Sequence, residues 1–260
     1  MRSPARNWQW RSKGEVFEER QAGTIAYQEQ KETQRNTIPL WNLVGECSDT
    51  KRLSSPPGRS SGQQWSKSVE SSVESFLTKW NSCQSCHLSQ FAKSHVVFRG
   101  SIPAEVLFVG EAPGRVEDIL GKPFVGPSGS ILSDIIDKLD IQSYVITNVV
   151  CCIPYSPQKK TREPSLEEAL ACQPHLIELF YLASPKLVVS LGEIARRSLV
   201  RLSKELKKTK KLHLPHPAYI LRNGGIGSSL QRKAILDLQR ALSACGIPHS
   251  HYYDQELIDD

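Results

Sequence analysis

No stretch of this 260-residue chain approaches the ~20 consecutive apolar residues that a membrane helix needs, and its N-terminus lacks the apolar core of a secretory signal. Both absences predict a soluble, intracellular protein with no membrane partner. Aliphatic clusters are scarce in residues 1–70, where the run Leu53-Ser54-Ser55-Pro56-Pro57-Gly58-Arg59-Ser60-Ser61-Gly62 stands instead. A segment of this composition cannot bury enough apolar surface to offset its ordering entropy. The sequence therefore predicts a disordered extension over residues 1–75, one folded domain over 76–246, and a C-terminal tail over 247–260 that carries no periodicity. There is no internal repeat.

Cysteine, by contrast, is plentiful. Seven of them without a secretory signal argue against a disulfide framework, because a reducing compartment keeps thiols free; metal or cluster ligation is the better expectation. Cys83-Gln84-Ser85-Cys86 has the spacing that lets two thiolates reach one centre from a tight turn. Cys152 follows a candidate strand and Cys172 lies in a candidate helix, so four thiolates can converge at one edge of a sheet. Cys151 precedes Cys152, and side chains alternate along a strand, so only one of these two should be a ligand. Zinc and an iron–sulfur cluster both accept four cysteines, and spacing does not separate them. Cys47 and Cys245 lie outside the pattern. The balance of 33 Lys and Arg against 27 Asp and Glu gives a net charge of +6, which favours a polyanionic partner without identifying one.

From residue 76 onward, strand and helix patterns alternate. The apolar runs 104–110, 144–150 and 186–192 read as interior strands of a parallel sheet, and 211–214 as a last strand. Ile131, Leu132, Ile135, Ile136 and Leu139 recur at helical spacing after Pro127. Ser165 stands three residues before Glu168, a capping-box pattern that starts a helix running to about Ala183. Residues 193–206 and 230–244 also read as helices. The expected fold is α/β, a three-layer α/β/α arrangement around a central, mostly parallel four-stranded sheet.

The first strand runs into a loop rich in Gly and Pro, Gly110-Glu111-Ala112-Pro113-Gly114, followed by Glu117-Asp118 and Gly121-Lys122-Pro123-Phe124-Val125-Gly126. Open α/β sheets place their ligands in such loops, at the carboxyl ends of strands. These segments, with Thr147-Asn148-Val149-Val150, the four cysteines and His216-Pro217-Ala218-Tyr219-Ile220-Leu221-Arg222, resemble a family 4 uracil-DNA glycosylase over residues 78–244. The resemblance implies a [4Fe-4S] cluster on Cys83, Cys86, Cys152 and Cys172, and removal of uracil from single- or double-stranded DNA by a monomer. It also implies roles for individual residues. Phe124 matches the aromatic that stacks on the flipped base, Asn148 the amide that hydrogen-bonds uracil, and Glu111 with Ala112 the uracil-contacting start of the first motif. His216 matches the histidine facing uracil O2, and Glu117 and Asp118 match the acidic end of the first motif, from which one acid would orient water. Leu221 and Arg222 are candidates for an apolar wedge and a phosphate contact, although the same residues could equally begin a helix. Arg115 and Val116 stand where the family usually carries acids. That departure leaves a non-catalytic iron–sulfur nucleic-acid-binding protein as the alternative.

Overall fold

The strand Val106–Gly110 is buried along its whole length, and its side chains feed two hydrophobic cores in alternation. Leu107 and Val109 enter one core, Val106 and Phe108 the other, as the two-residue period of a strand requires. This is a computed structural model, and it describes residues 61–156, 158 and 160–253. In chain order the elements are α1 (Ser61–Asn81), β1 (Arg99–Gly100), β2 (Val106–Gly110), α2 (Arg115–Leu120), α3 (Pro127–Lys138), β3 (Tyr144–Asn148), α4 (Leu166–Ala183), β4 (Leu187–Leu191), α5 (Glu193–Arg201), β5 (Lys210–Leu214), α6 (Pro217–Arg222) and α7 (Ser229–Ala244). A short 3-10 turn, His87–Gln90, follows the Cys83–Cys86 pair.

The sheet order is β1-β3-β2-β4-β5. All neighbouring pairs are parallel except β1 with β3. Helices α1, α4 and α5 cover one face, whereas α3, α6 and α7 cover the other. The three-layer expectation therefore holds, with one correction: the sheet has five strands, not four. The extra strand is two residues long and pairs through Arg99↔Ile146 and Gly100↔Val145, too short to leave an alternating pattern in the sequence. The chain leaves β2 for β3 on one side and then crosses back past β2 to β4 on the other, so the direction of the crossovers reverses there. Such a switch point opens a crevice at the strands' carboxyl ends.

Two boundaries differ from expectation. Helix α1 begins at Ser61, so residues 61–75 of the extension read as disordered are helical. Its serine-rich composition hides a stripe: Val69, Val73, Phe76 and Trp80 recur at spacings of four, three and four, with Phe76 and Trp80 buried. Fully burying side chains of this size is worth ~1.5–3 kcal/mol each. Trp80 Nε1 also donates to Glu178 on α4 at 2.9 Å. Residues 1–60, with Cys47, lie outside the described residues. At the other end, the tail is docked as far as it is described. Ile247 is buried, Ser250 N–H donates to the Leu139 carbonyl at 2.8 Å, and Tyr252 N–H to Gln239 at 2.7 Å. Among the described residues no helix is long and apolar enough to cross a membrane.

Candidate functional site

Residues from the carboxyl ends of β2, β3 and β5 line one cavity of about 550 Å3. Glu111, Ala112, Pro113 and Gly114 come from the loop after β2, Asn148 from the end of β3, and His216 from the segment after β5. Phe124, Glu117, Arg115 and Arg222 complete much of the wall. Seven residues singled out in the sequence therefore meet here: Glu111, Ala112, Glu117, Phe124, Asn148, His216 and Arg222.

Local backbone chemistry explains the convergence. Phe124 takes a left-handed conformation, with φ of 54°, a strained state for a bulky residue. That turn lays its ring over the end of β2. Gly110 must lack a Cβ there, because one would collide with Asn148 Oδ1 and the Phe124 ring. Asn148 is 2% exposed, and its Oδ1 has no hydrogen-bond donor among the described residues. An acceptor orphaned in this way costs about 1–3 kcal/mol unless a ligand satisfies it.

His216 is the N-cap of α6, and its Nδ1 accepts from Ala218 N–H at 3.1 Å. Burial pulls its imidazole below the ordinary value, and Arg222 adds to the effect. A neutral ring whose Nδ1 accepts must carry its proton on Nε2, so His216 is a neutral donor. The Phe124 and His216 ring centroids lie 6.0 Å apart. Glu111 is half-buried, and burial followed by the Glu163 carboxylate raises it above the usual carboxylate value.

The two adjacent acids separate cleanly. Glu117 lines the cavity, and its Oε1 accepts from Gly126 N–H at 2.9 Å while Oε2 has no donor among the described residues. A Cβ at Gly126 would stand 2.9 Å from that Oε1, so the glycine admits the carboxylate. Asp118, in contrast, is 1% exposed and points away, accepting from Lys93 N–H at 2.9 Å and Ser94 N–H at 3.4 Å. Asp118 is thus corrected from a water-orienting candidate to an anchor of the 93–94 backbone. The cause is α2: on a helix, consecutive residues point about 100° apart. Leu221 lies on α6 outside the cavity lining, half-exposed next to Arg222, and Ile220 is buried in the core.

Cys83, Cys86, Cys152 and Cys172 line a second, small cavity together with Cys151, Trp80 and Leu88. Burial pushes the Cys152 thiol up to about 12, and the neighbouring Cys172, Cys86 and Cys83 sulfurs add to the shift. Cys172 is held low by hydrogen bonds from Cys151, whose backbone N–H lies 3.3 Å from the Cys172 Sγ. Among the described residues, one trio of ligating atoms lies within 4.8 Å of one another: those of Cys151, Cys172 and His175. His175 is buried between Phe76 and Trp80, with ring centroids 5.4 and 5.3 Å away, and burial lowers it to about 3.

A profile of the uracil DNA glycosylase superfamily matches residues 98–239. A type-4 uracil-DNA glycosylase of Thermotoga maritima is 33% identical over 176 residues, which cover 62% of this chain and 88% of that protein. The chain belongs to the type-4 uracil-DNA glycosylase family. A type-4 enzyme of Archaeoglobus fulgidus is 30% identical over 170 residues, 58% of this chain and 83% of that protein. One of Saccharolobus solfataricus is 41% identical over 113 residues, 42% of this chain; the chain spans only 50% of that relative's length.

The sequence left part of the site unseen. Thr161, Arg162 and Glu163 also line the cavity, brought there by the loop between Cys152 and Cys172. The capping box at Ser165 and Glu168 is present as expected, and it was the available signal, because Glu168 also forks Arg162 at 2.8 and 2.5 Å. Hydrogen bonds from Arg162 hold the Glu168 carboxyl below the usual range. His175 could have been found from its position, three residues after Cys172 on one helix face.

Proposed function

We propose that this chain is a DNA-repair glycosylase that hydrolyses the N-glycosidic bond of uracil in DNA and leaves an abasic site. The observation that carries the reading is the buried, unpartnered Oδ1 of Asn148 beside the Phe124 ring and the His216 imidazole. An amide offers one acceptor for uracil N3–H and one donor for O4, whereas cytosine presents the opposite pattern on that edge. A base must leave the stack to reach such a pocket, at a cost of a few kcal/mol. Stacking on Phe124 returns ~1–3 kcal/mol of it.

As the glycosidic bond breaks, its electron pair leaves with uracil and the sugar gains positive character. The Nε2–H of His216 is aimed at the O2 of the departing base, so it favours the transition state over the ground state. Glu117, with Oε1 tied to Gly126 and Oε2 free, orients the water. The water's hydroxyl ends on C1′ and its proton balances the departing uracil anion. Glu111 and Ala112 bound the base from the β2 loop, while Leu221 and Arg222 meet the DNA at the rim. The partner is uracil-bearing DNA, single- or double-stranded, and the protein acts as a monomer.

Cys83, Cys86, Cys152 and Cys172 would hold a [4Fe-4S] cluster. One tetrahedral zinc with arms of ~2.3 Å needs sulfurs about 3.8 Å apart. Four thiols that share a cavity, no three of them within 4.8 Å of one another, suit a polynuclear centre better. Such a cluster would supply iron sites for these four thiolates and so close the Cys152–Cys172 loop, and no step of base release would use it. The test is incubation with a uracil-bearing oligonucleotide plus a divalent-metal chelator, then alkali. Strand scission at the uracil supports the reading, and an uncut strand with intact iron content contradicts it in favour of the binding-protein alternative.

A further inference from the structure

Glu168 stands one helical turn before Cys172 on α4, and its side chain is 1% exposed. Three groups converge on its carboxylate through four contacts. Arg162 donates through Nη1 at 2.8 Å and Nη2 at 2.5 Å, Ser165 through its N–H at 2.7 Å, and His87 Nε2 lies 3.0 Å away. Buried carboxylates persist only when their oxygens are satisfied in this way. These partners belong to different parts of the molecule. His87 directly follows Cys86 and opens the 3-10 turn behind the cysteine pair. Arg162 sits at the rim of the base cavity between Thr161 and Glu163.

Arg162 also donates to three carbonyls of the rim through its own side chain and backbone. Its Nη1 donates to the Glu163 carbonyl at 2.9 Å, its Nε to the Tyr155 carbonyl at 3.2 Å, and its N–H to the Pro154 carbonyl at 3.1 Å. Tyr155 and Thr161 pair in an antiparallel bridge. Glu168 therefore joins this hairpin to the two elements that carry Cys86 and Cys172.

Resting on the function proposed above, we infer that Glu168 is a positioning residue through which occupancy of the four-cysteine site sets the pocket rim. When Cys86 and Cys172 are held on one centre, His87 and Glu168 are fixed against each other, and Glu168 fixes Arg162. When the centre is lost, the rim loosens. Phe124, Asn148 and His216 ride on other elements and keep their places, so the loss falls on nucleotide capture and not on bond cleavage.

Amide hydrogen exchange over residues 154–165, with iron content and DNA affinity measured on the same full-length samples, tests this link. In wild type, stripping the metal should accelerate exchange in that segment and weaken DNA binding. Glu168→Gln keeps an acceptor but loses the charged fork. It should exchange fast with its metal still bound, and bind DNA roughly tenfold more weakly, the loss typical of one charge-assisted bond. Its single-turnover rate at saturating DNA should stay within about twofold of wild type. Arg162→Gln should reproduce the faster exchange and the weaker DNA binding, and the double variant should lose less than the sum of the two, because both remove the same fork. A merely structural carboxylate would lower the melting temperature without moving affinity or the exchange of this segment. Wild-type exchange and affinity in both variants would overturn the proposal, as would metal loss from Glu168→Gln or a wild type that purifies anaerobically without metal. Exchange and affinity do not depend on base release, so a wild type that binds DNA but releases no base defeats the enzyme reading separately. Should Glu168→Gln fold poorly, the part-exposed Arg162 carries the test.

Discussion

Replacing His216 with Ala should separate catalysis from packing by magnitude. The ring has one role in the structure and a second in the proposed reaction. Its Nδ1 accepts from Ala218 N–H at the start of α6, and its Nε2–H is the proposed donor to the base. Losing an N-cap of this kind costs ~0.5–2 kcal/mol of stability. Losing a donor to charge that develops only at the transition state costs ~10²–10³ in rate. The assay is single-turnover base excision with enzyme in excess, run beside fluorescence anisotropy for DNA affinity and a thermal melt. The expected result is a rate loss in that range, affinity within about threefold of wild type, and a modest fall in melting temperature. The same geometry fixes a pH dependence. Burial, then Arg222, lowers the folded His216 value below the unfolded ~6.5. The folded chain consequently binds fewer protons than the unfolded chain in that window. This contribution to stability is complete above 6.5 and is lost as pH falls through the folded value. His216→Ala should flatten that part of the stability profile. A rate within about fivefold of wild type, or a loss seen entirely in affinity, would refute the donor role.

Other substitutions divide along the same lines. Glu117→Gln should slow excision by ~10²–10⁴ with little change in melting temperature, as expected of a group that orients water. Asp118→Ala should do the reverse, because the Lys93 and Ser94 N–H groups lose a charged acceptor worth ~1.5–3 kcal/mol, and excision at a permissive temperature should stay near wild type. Asn148→Asp should abolish release of uracil in a product assay, since an amide donor becomes a second acceptor. Phe124→Ala should weaken base capture by a stacking increment of ~1–3 kcal/mol, with partial rescue on single-stranded or mispaired uracil, which costs less to extrude.

The pocket was legible in the sequence because its residues sit in Gly- and Pro-punctuated turns directly after buried strands, where few backbone paths are open. Gly110, Phe124 and Asn148 illustrate this, each placed by the end of a strand or a forced turn. The choice between Glu117 and Asp118 was not legible, since a helix of six residues decides which acid turns inward and leaves no period to read. The place of Arg162 in the cavity wall was hidden for another reason. The residue reaches the rim through an ion pair whose partner, Glu168, looked like half of a local capping box and no more. Helix α1 was missed because serines outnumber the four apolar residues of its stripe.

Chromatographic measurement of free uracil, released by iron-replete protein from a stoichiometric amount of uracil-bearing DNA without added metal, decides between a glycosylase and a binding protein. A glycosylase releases one uracil per site and no base from the matched thymine or cytosine strands. Intact DNA after prolonged incubation, with the cluster present and the DNA bound, would contradict the glycosylase reading.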